Sequence, residues 1–120
     1  MADHNDLGVA GEELAVDFLV NKGHTILSRN YRFQKMEIDI ISEWGNMLVV
    51  TEVKTRQSSY LTDPNEILSL SKQRFLIKAA DQYIKENEID KDCRFDLVII
   101  VLNEKQKEIE HIEDAFYPML

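Results

Sequence analysis

Residues 36–43 and 47–54 constrain this chain more than any other feature. Both are apolar enough for strands, and Trp44-Gly45-Asn46 between them has the form of a hairpin turn. Alternation in the first strand predicts Glu37 and Asp39 on one face and Ile38 and Ile40 on the other. In the second, Leu48, Val50, Glu52 and Lys54 share a face. A turn near Gly45 pairs positions whose numbers sum to about 90, which brings Asp39 beside Glu52 or diagonal to it. Carboxylates are rarely buried unless paired or bound to a metal. Asp is also poorly suited to a strand interior. Packing alone would not choose these acids at these positions.

Chemistry can use them. Two carboxylates and a backbone carbonyl make an oxygen-rich site for Mg²⁺ or Mn²⁺, and Mg²⁺ keeps several waters and accepts phosphate oxygens. Lys54 can position a water or stabilise developing charge. Glu12, on the preceding helix, is a third acid able to reach the same place. The alternative is a structural ion pair of Asp39, Glu52 and Lys54 on a solvated sheet face. Spacing alone does not separate the two.

The remaining pattern frames that hairpin. Leu7, Ala10, Leu14, Ala15, Phe18 and Leu19 recur at helical spacing, predicting a helix over 7–22. Asn5 or Asp6 would cap its start, and Gly23 would end it. Residues 24–33 suit a strand. A loop follows the hairpin, and Asp63-Pro64-Asn65-Glu66 has the form of a capping box with Pro at the first helical position. Phe75, Leu76, Ala79, Ala80, Tyr83 and Ile84 form the apolar stripe of a helix over 71–85. The run 95–102 reads as a central strand and 108–112 as a short edge strand. The order is α-β-β-β-α-β-β: an α/β architecture, a mixed sheet of about five strands flanked by helices. A right-handed crossover through the second helix would make its flanking strands parallel.

Composition narrows the class. The chain has 120 residues, a usual size for one domain, with no linker-like stretch. No apolar run approaches the ~20 residues of a membrane span. The first 20 residues carry five acids and no Lys or Arg, unlike a signal peptide. One cysteine, Cys93, permits no internal disulfide, and a cytoplasmic setting is expected. A net charge of −8 argues against nucleic acid as a partner. Its distribution weakens that argument: residues 18–85 carry ten basic and seven acidic side chains, and both ends are acidic. His4, His24 and His111 share no metal-ligand spacing. Trp44 reads either as a hairpin anchor or as an exposed contact, and Tyr31 as a base-stacking or a core aromatic.

Several motifs follow one another in a definite order: Gly11-Glu12, Asn30-Tyr31-Arg32, Glu37-Ile38-Asp39, Glu52-Val53-Lys54-Thr55-Arg56, Lys72 with Ala79-Ala80, Arg94-Phe95-Asp96, and His111-Ile112 with Ala115-Phe116. Asp39 and Glu52-Val53-Lys54 resemble the PD-(D/E)XK nuclease signature. The whole series, over about residues 7–116, resembles the YraN-type UPF0102 family, related to archaeal Holliday junction resolvases. The resemblance implies one nuclease-like domain over 1–120 with a restriction-endonuclease-like fold. It also implies metal-dependent hydrolysis of DNA phosphodiester bonds. By position it makes Asp39, Glu52 and the Val53 carbonyl metal ligands, Lys54 the catalytic lysine and Glu12 an auxiliary acid. Met36 stands where that family usually has Gly, and a bulkier side chain there is expected either to narrow the cleft or to alter DNA approach.

Arg29, Arg32, Arg56, Lys72 and Arg74 are the candidate DNA-backbone contacts, with Arg56 and Lys72 foremost. Branched recombination or repair intermediates are the expected DNA class. A homodimer that cuts both strands and a recombination or repair protein are the expected partners. The competing reading is a non-catalytic module that keeps the nuclease fold and binds nucleic acid or protein.

Overall fold

A computed structural model describes residues 4–58 and 67–118 of the chain. The proposed capping box at 63–66 lies outside them. Helix α1 spans His4–Asn21. Strands β1 (Thr25–Phe33), β2 (Met36–Trp44) and β3 (Met47–Arg56) follow, then helix α2 (Leu70–Glu86) and strands β4 (Asp92–Leu102) and β5 (Lys107–Phe116). The five strands form one sheet in the order β1-β2-β3-β4-β5. Every neighbouring pair is antiparallel except β3 and β4, which flank α2 and run parallel. This is the α-β-β-β-α-β-β mixed sheet that the sequence predicts. No helix among the described residues is long and apolar enough to cross a membrane.

The two helices cover opposite faces. Ala15 and Leu19 of α1 pack with Ile40, Val98 and Ile100. Leu76, Ala79, Ala80 and Tyr83 of α2 pack with Ile38, Ile41, Leu48, Val50, Phe95 and Leu97. β4 is therefore apolar on both sides, as its composition requires. Helix α1 closes with a Schellman arrangement: the His24 N–H reaches the Leu19 carbonyl at 2.9 Å and the Gly23 N–H reaches Val20 at 3.0 Å. Gly23 takes φ 102, a conformation that only glycine adopts cheaply. At its other end α1 starts before the expected caps, so Asn5 and Asp6 lie inside the helix. Asp6 sits in the first turn, where the helix dipole favours an acid. Helix α2 is capped by Ser69, whose Oγ accepts the Lys72 N–H at 3.2 Å.

Two local expectations need correction. Ile38 and Ile40 do not share a face: Ile38 packs on the α2 side and Ile40 on the α1 side. The neighbouring strand is irregular at the same level. Arg29 pairs with Ile40 and Tyr31 with Ile38, so Asn30 lies opposite Asp39, and Asn30 takes a left-handed φ of 54. Regular alternation breaks there. The last strand is also longer than 108–112. It runs on through Glu113-Asp114 to Phe116, and Asp114 at φ 52 donates its N–H to Asp96 Oδ1 at 3.1 Å.

Candidate metal and phosphate site

The hairpin pairs Trp44 with Met47 and continues to Ile40 and Thr51. That register is one residue from the expected one, and Asp39 and Glu52 are the next residues along each strand. Here the carboxylate replaces the ladder: the Val53 N–H donates to Asp39 Oδ2 at 2.8 Å. Glu52 approaches from β3 within hydrogen-bonding reach of Asp39. Burial pushes the Asp39 carboxyl up to about 8, and Glu52 adds to the rise, while the Val53 N–H and Lys72 oppose it. Asp39 therefore favours its neutral form near neutral pH.

Glu12 overlooks this pair because α1 lies very close to β3. Gly11 is buried, and a Cβ built on it would sit 1.9 Å from Thr55 Oγ1. Only glycine permits that approach, and it brings the next residue to the rim of a cavity of about 330 Å³. Leu7, Gly8, Val9, Glu12, Asp39, Val53, Lys54 and Thr55 line the cavity. Burial and the charge of Asp39 raise the Glu12 carboxyl above its ordinary value, against Arg29 and Asn30. Asn30 thus serves twice, breaking the β1 pattern and hydrogen-bonding Glu12.

Lys54 is exposed at the cavity wall. The other candidate cations are placed differently. Arg29 bonds Glu13 at 2.8 Å and Glu12 at 3.4 Å. Arg32 pairs with Glu37 at 3.3 Å. Arg56 is half-buried at the end of β3, and Arg74 is exposed on α2. Lys72 turns inward, its ammonium 3.1 Å from Glu52 Oε2. Met36 is exposed at the start of β2. Among the described residues no three or more His, Cys, Asp or Glu side chains gather as a metal-holding group. A cation here would depend on two carboxylates and a backbone oxygen, an all-oxygen set of the kind Mg²⁺ takes.

A second polar cluster centres on Asp96, which pairs with Thr51, the residue before Glu52. Arg94 grips Asp96 through two 2.8 Å bonds, and His111 Nε2 lies 2.7 Å from Asp96 Oδ2. The Lys22 ammonium, 2.8 Å from His111 Nδ1, must donate there, so Nε2 carries the proton and donates to Asp96. His24 Nδ1 meets Ser42 Oγ at 2.8 Å. Trp44 stacks on His24 at 6.0 Å, with the Arg94 guanidinium 5.1 Å from its ring, yet it stays 40% exposed, so it has both an anchoring contact and an open face. Tyr31 packs edge-on against Tyr83 at 5.1 Å, a core role. Burial, then Asp96, push the Cys93 thiol up to about 12, so it is not a nucleophile at neutral pH. Sequence reasoning missed the Asp96 cluster, although Arg94 and Asp96 are charges two apart in an apolar strand, the same signal that marked Asp39.

Residues 11–100 match the family described as uncharacterised protein family UPF0102. The chain is 47% identical over 117 residues to a UPF0102 protein of Flavobacterium psychrophilum and 45% identical over 117 residues to one of Christiangramia forsetii, each alignment covering 98% of both proteins. It is 42% identical over 120 residues to a UPF0102 protein of Bacteroides thetaiotaomicron, covering 100% of this chain and 99% of that protein.

Proposed function

The chain belongs to the uncharacterised protein family UPF0102, and we propose that it is a metal-dependent DNA endonuclease of the PD-(D/E)XK type. The observation that carries the reading is the meeting of Glu52 with Asp39, which lines a cavity together with Glu12 and Lys54. Two acids brought together, one with its pKa raised first by burial and then by its neighbour, fit a divalent cation, because the cation favours the ionised form against both. Asp39, Glu52 and the Val53 carbonyl would hold it. A bound Mg²⁺ or Mn²⁺ would supply charge stabilisation to a phosphodiester and acidify a water.

The chain's own residues do the rest. Lys54, exposed at the cavity wall, presents its ammonium to an anionic backbone. Glu12 is proton-hungry for a carboxylate and is held in place by Arg29 and Asn30. Arg29, Arg32, Arg56 and Arg74 are the proposed DNA-backbone contacts, Arg29 and Arg32 by exchanging their glutamate partners for phosphate, and Lys72 joins them once it is released from Glu52. The expected substrates are branched recombination or repair intermediates. A homodimer would cut both strands, and a recombination or repair protein would compensate for the acidic ends. The setting is cytoplasmic.

The test is cleavage of branched, flapped and linear DNA with Mg²⁺ or Mn²⁺, by wild type, Asp39→Ala and Lys54→Ala. Cutting is expected from wild type alone. Metal-dependent cutting that survives both substitutions overturns the proposal. One observation favours a non-catalytic DNA- or protein-binding module instead: Glu52 is already neutralised by Lys72. Salt-dependent DNA binding with no divalent-ion uptake would select that second reading.

A further inference from the structure

We infer that Lys72 is the resident counter-ion of the acidic pair: it occupies Glu52 until a divalent cation displaces it. The inference rests on the metal-site reading above and concerns how that site is regulated. The ammonium lies 3.1 Å from Glu52 Oε2, with 24% of the lysine side chain and 13% of the glutamate exposed. Its charge also acts on Asp39. It comes from the first turn of α2, where Ser69 fixes its backbone N–H, and it rests 5.6 Å from the centroid of Phe75. The helix start therefore delivers this cation to the pair by construction.

The neighbouring cations are placed otherwise. Arg29 is bound by Glu12 and Glu13, and Lys54 stands exposed at the cavity wall. A dication and an ammonium on the same carboxylate repel each other strongly where water is scarce. Cation binding must therefore break the Lys72–Glu52 pair. The flexible lysine stem lets the ammonium leave without moving α2. The site then resists cations when idle and gains a mobile positive charge beside the cavity when loaded.

The test is calorimetric titration of Ca²⁺ and Mn²⁺ into wild type, Lys72→Met, Lys72→Arg and Asp39→Asn. Lys72→Met should bind the ions about three- to ten-fold more tightly than wild type, the worth of a partly shielded ion pair. Lys72→Arg should stay near wild type, and Asp39→Asn should lose binding. The Lys72 ammonium resonance of the wild-type protein gives a measurement that needs no variant to fold: Ca²⁺ should shift it as the pair breaks. Equal or weaker ion binding by Lys72→Met, with binding still lost in Asp39→Asn, overturns the counter-ion role and leaves the metal site standing. An unmoved ammonium signal at saturating Ca²⁺ does the same. Ion binding by none of the proteins overturns the metal site and the inference together.

Discussion

The carboxylate of Asp39 accepts the Val53 N–H at 2.8 Å, one residue past the last backbone pair between β2 and β3. A side chain thus finishes a hairpin that the backbone leaves open, and the same side chain faces Glu52. The two roles can be separated. Asp39→Asn keeps an acceptor oxygen and removes a carboxyl whose ionisation is suppressed first by burial and then by Glu52, so it should be at least as stable as wild type in urea. Asp39→Ala leaves the N–H without that acceptor and should lie about 1–2 kcal/mol below Asp39→Asn. Both should lose cleavage. An Asn variant less stable than the Ala variant would contradict this account.

Gly8 and Gly11 lie in one helix and should respond oppositely to the same change. A Cβ on Gly8 meets nothing within 4 Å, so Gly8→Ala should gain helix propensity, up to about 1 kcal/mol. A Cβ on Gly11 meets Thr55 Oγ1 at 1.9 Å, so Gly11→Ala should lose about 1–3 kcal/mol and displace Glu12. Adding Thr55→Gly should recover much of the Gly11→Ala loss. Thermal midpoints of the four proteins check the argument, and equal shifts for both alanine variants would count against it.

Lys54 should matter for chemistry and hardly at all for stability. Its side chain is exposed at the cavity wall, so Lys54→Met should change unfolding by less than about 0.5 kcal/mol. Cleavage should fall about 10²-fold or more, the usual worth of a charged group acting on a transition state. Parallel urea curves and single-turnover cleavage measure the split. A loss of stability matching the loss of activity would make Lys54 structural.

The buried Asp96 cluster predicts how acid unfolds the protein. Burial alone would raise the Asp96 carboxyl, but His111, Arg94 and the Asp114 N–H outweigh it and hold it below 3.8. The ionised form is therefore favoured by folding. Its contribution is complete above about pH 4 and disappears as pH falls through the lower folded value. At pH 7, Asp96→Asn should be less stable by roughly 3 kcal/mol. That gap should close on acidification below pH 4. His24 is shifted down from 6.5, first by burial and next by His111, so its neutral form is favoured and stability should also fall from about pH 6.5 downward. His24→Gln should flatten that upper part of the profile. Thermal midpoints from pH 3 to 8 test both windows.

Local pattern alone determined the element order, the hairpin at Gly45, the glycine end of α1 and the placement of Asp39 and Glu52 in apolar strands. Each depends on periodicity or on a backbone conformation set within a few residues, and α2 and β4 were equally legible for that reason. The tertiary structure decided which charges meet. Lys72 reads as a surface cation until α2 crosses the sheet and turns it onto Glu52. His111 has no ligand-like spacing, yet β5 lays it on Asp96. Gly11 reads as one helix residue until Thr55 arrives opposite it. The split of Ile38 from Ile40 is likewise visible only in the fold, where it lies opposite the left-handed Asn30. Periodicity records the face a residue presents. It carries no record of the partner that a distant segment brings to that face, and a buried charge is stabilised by that partner.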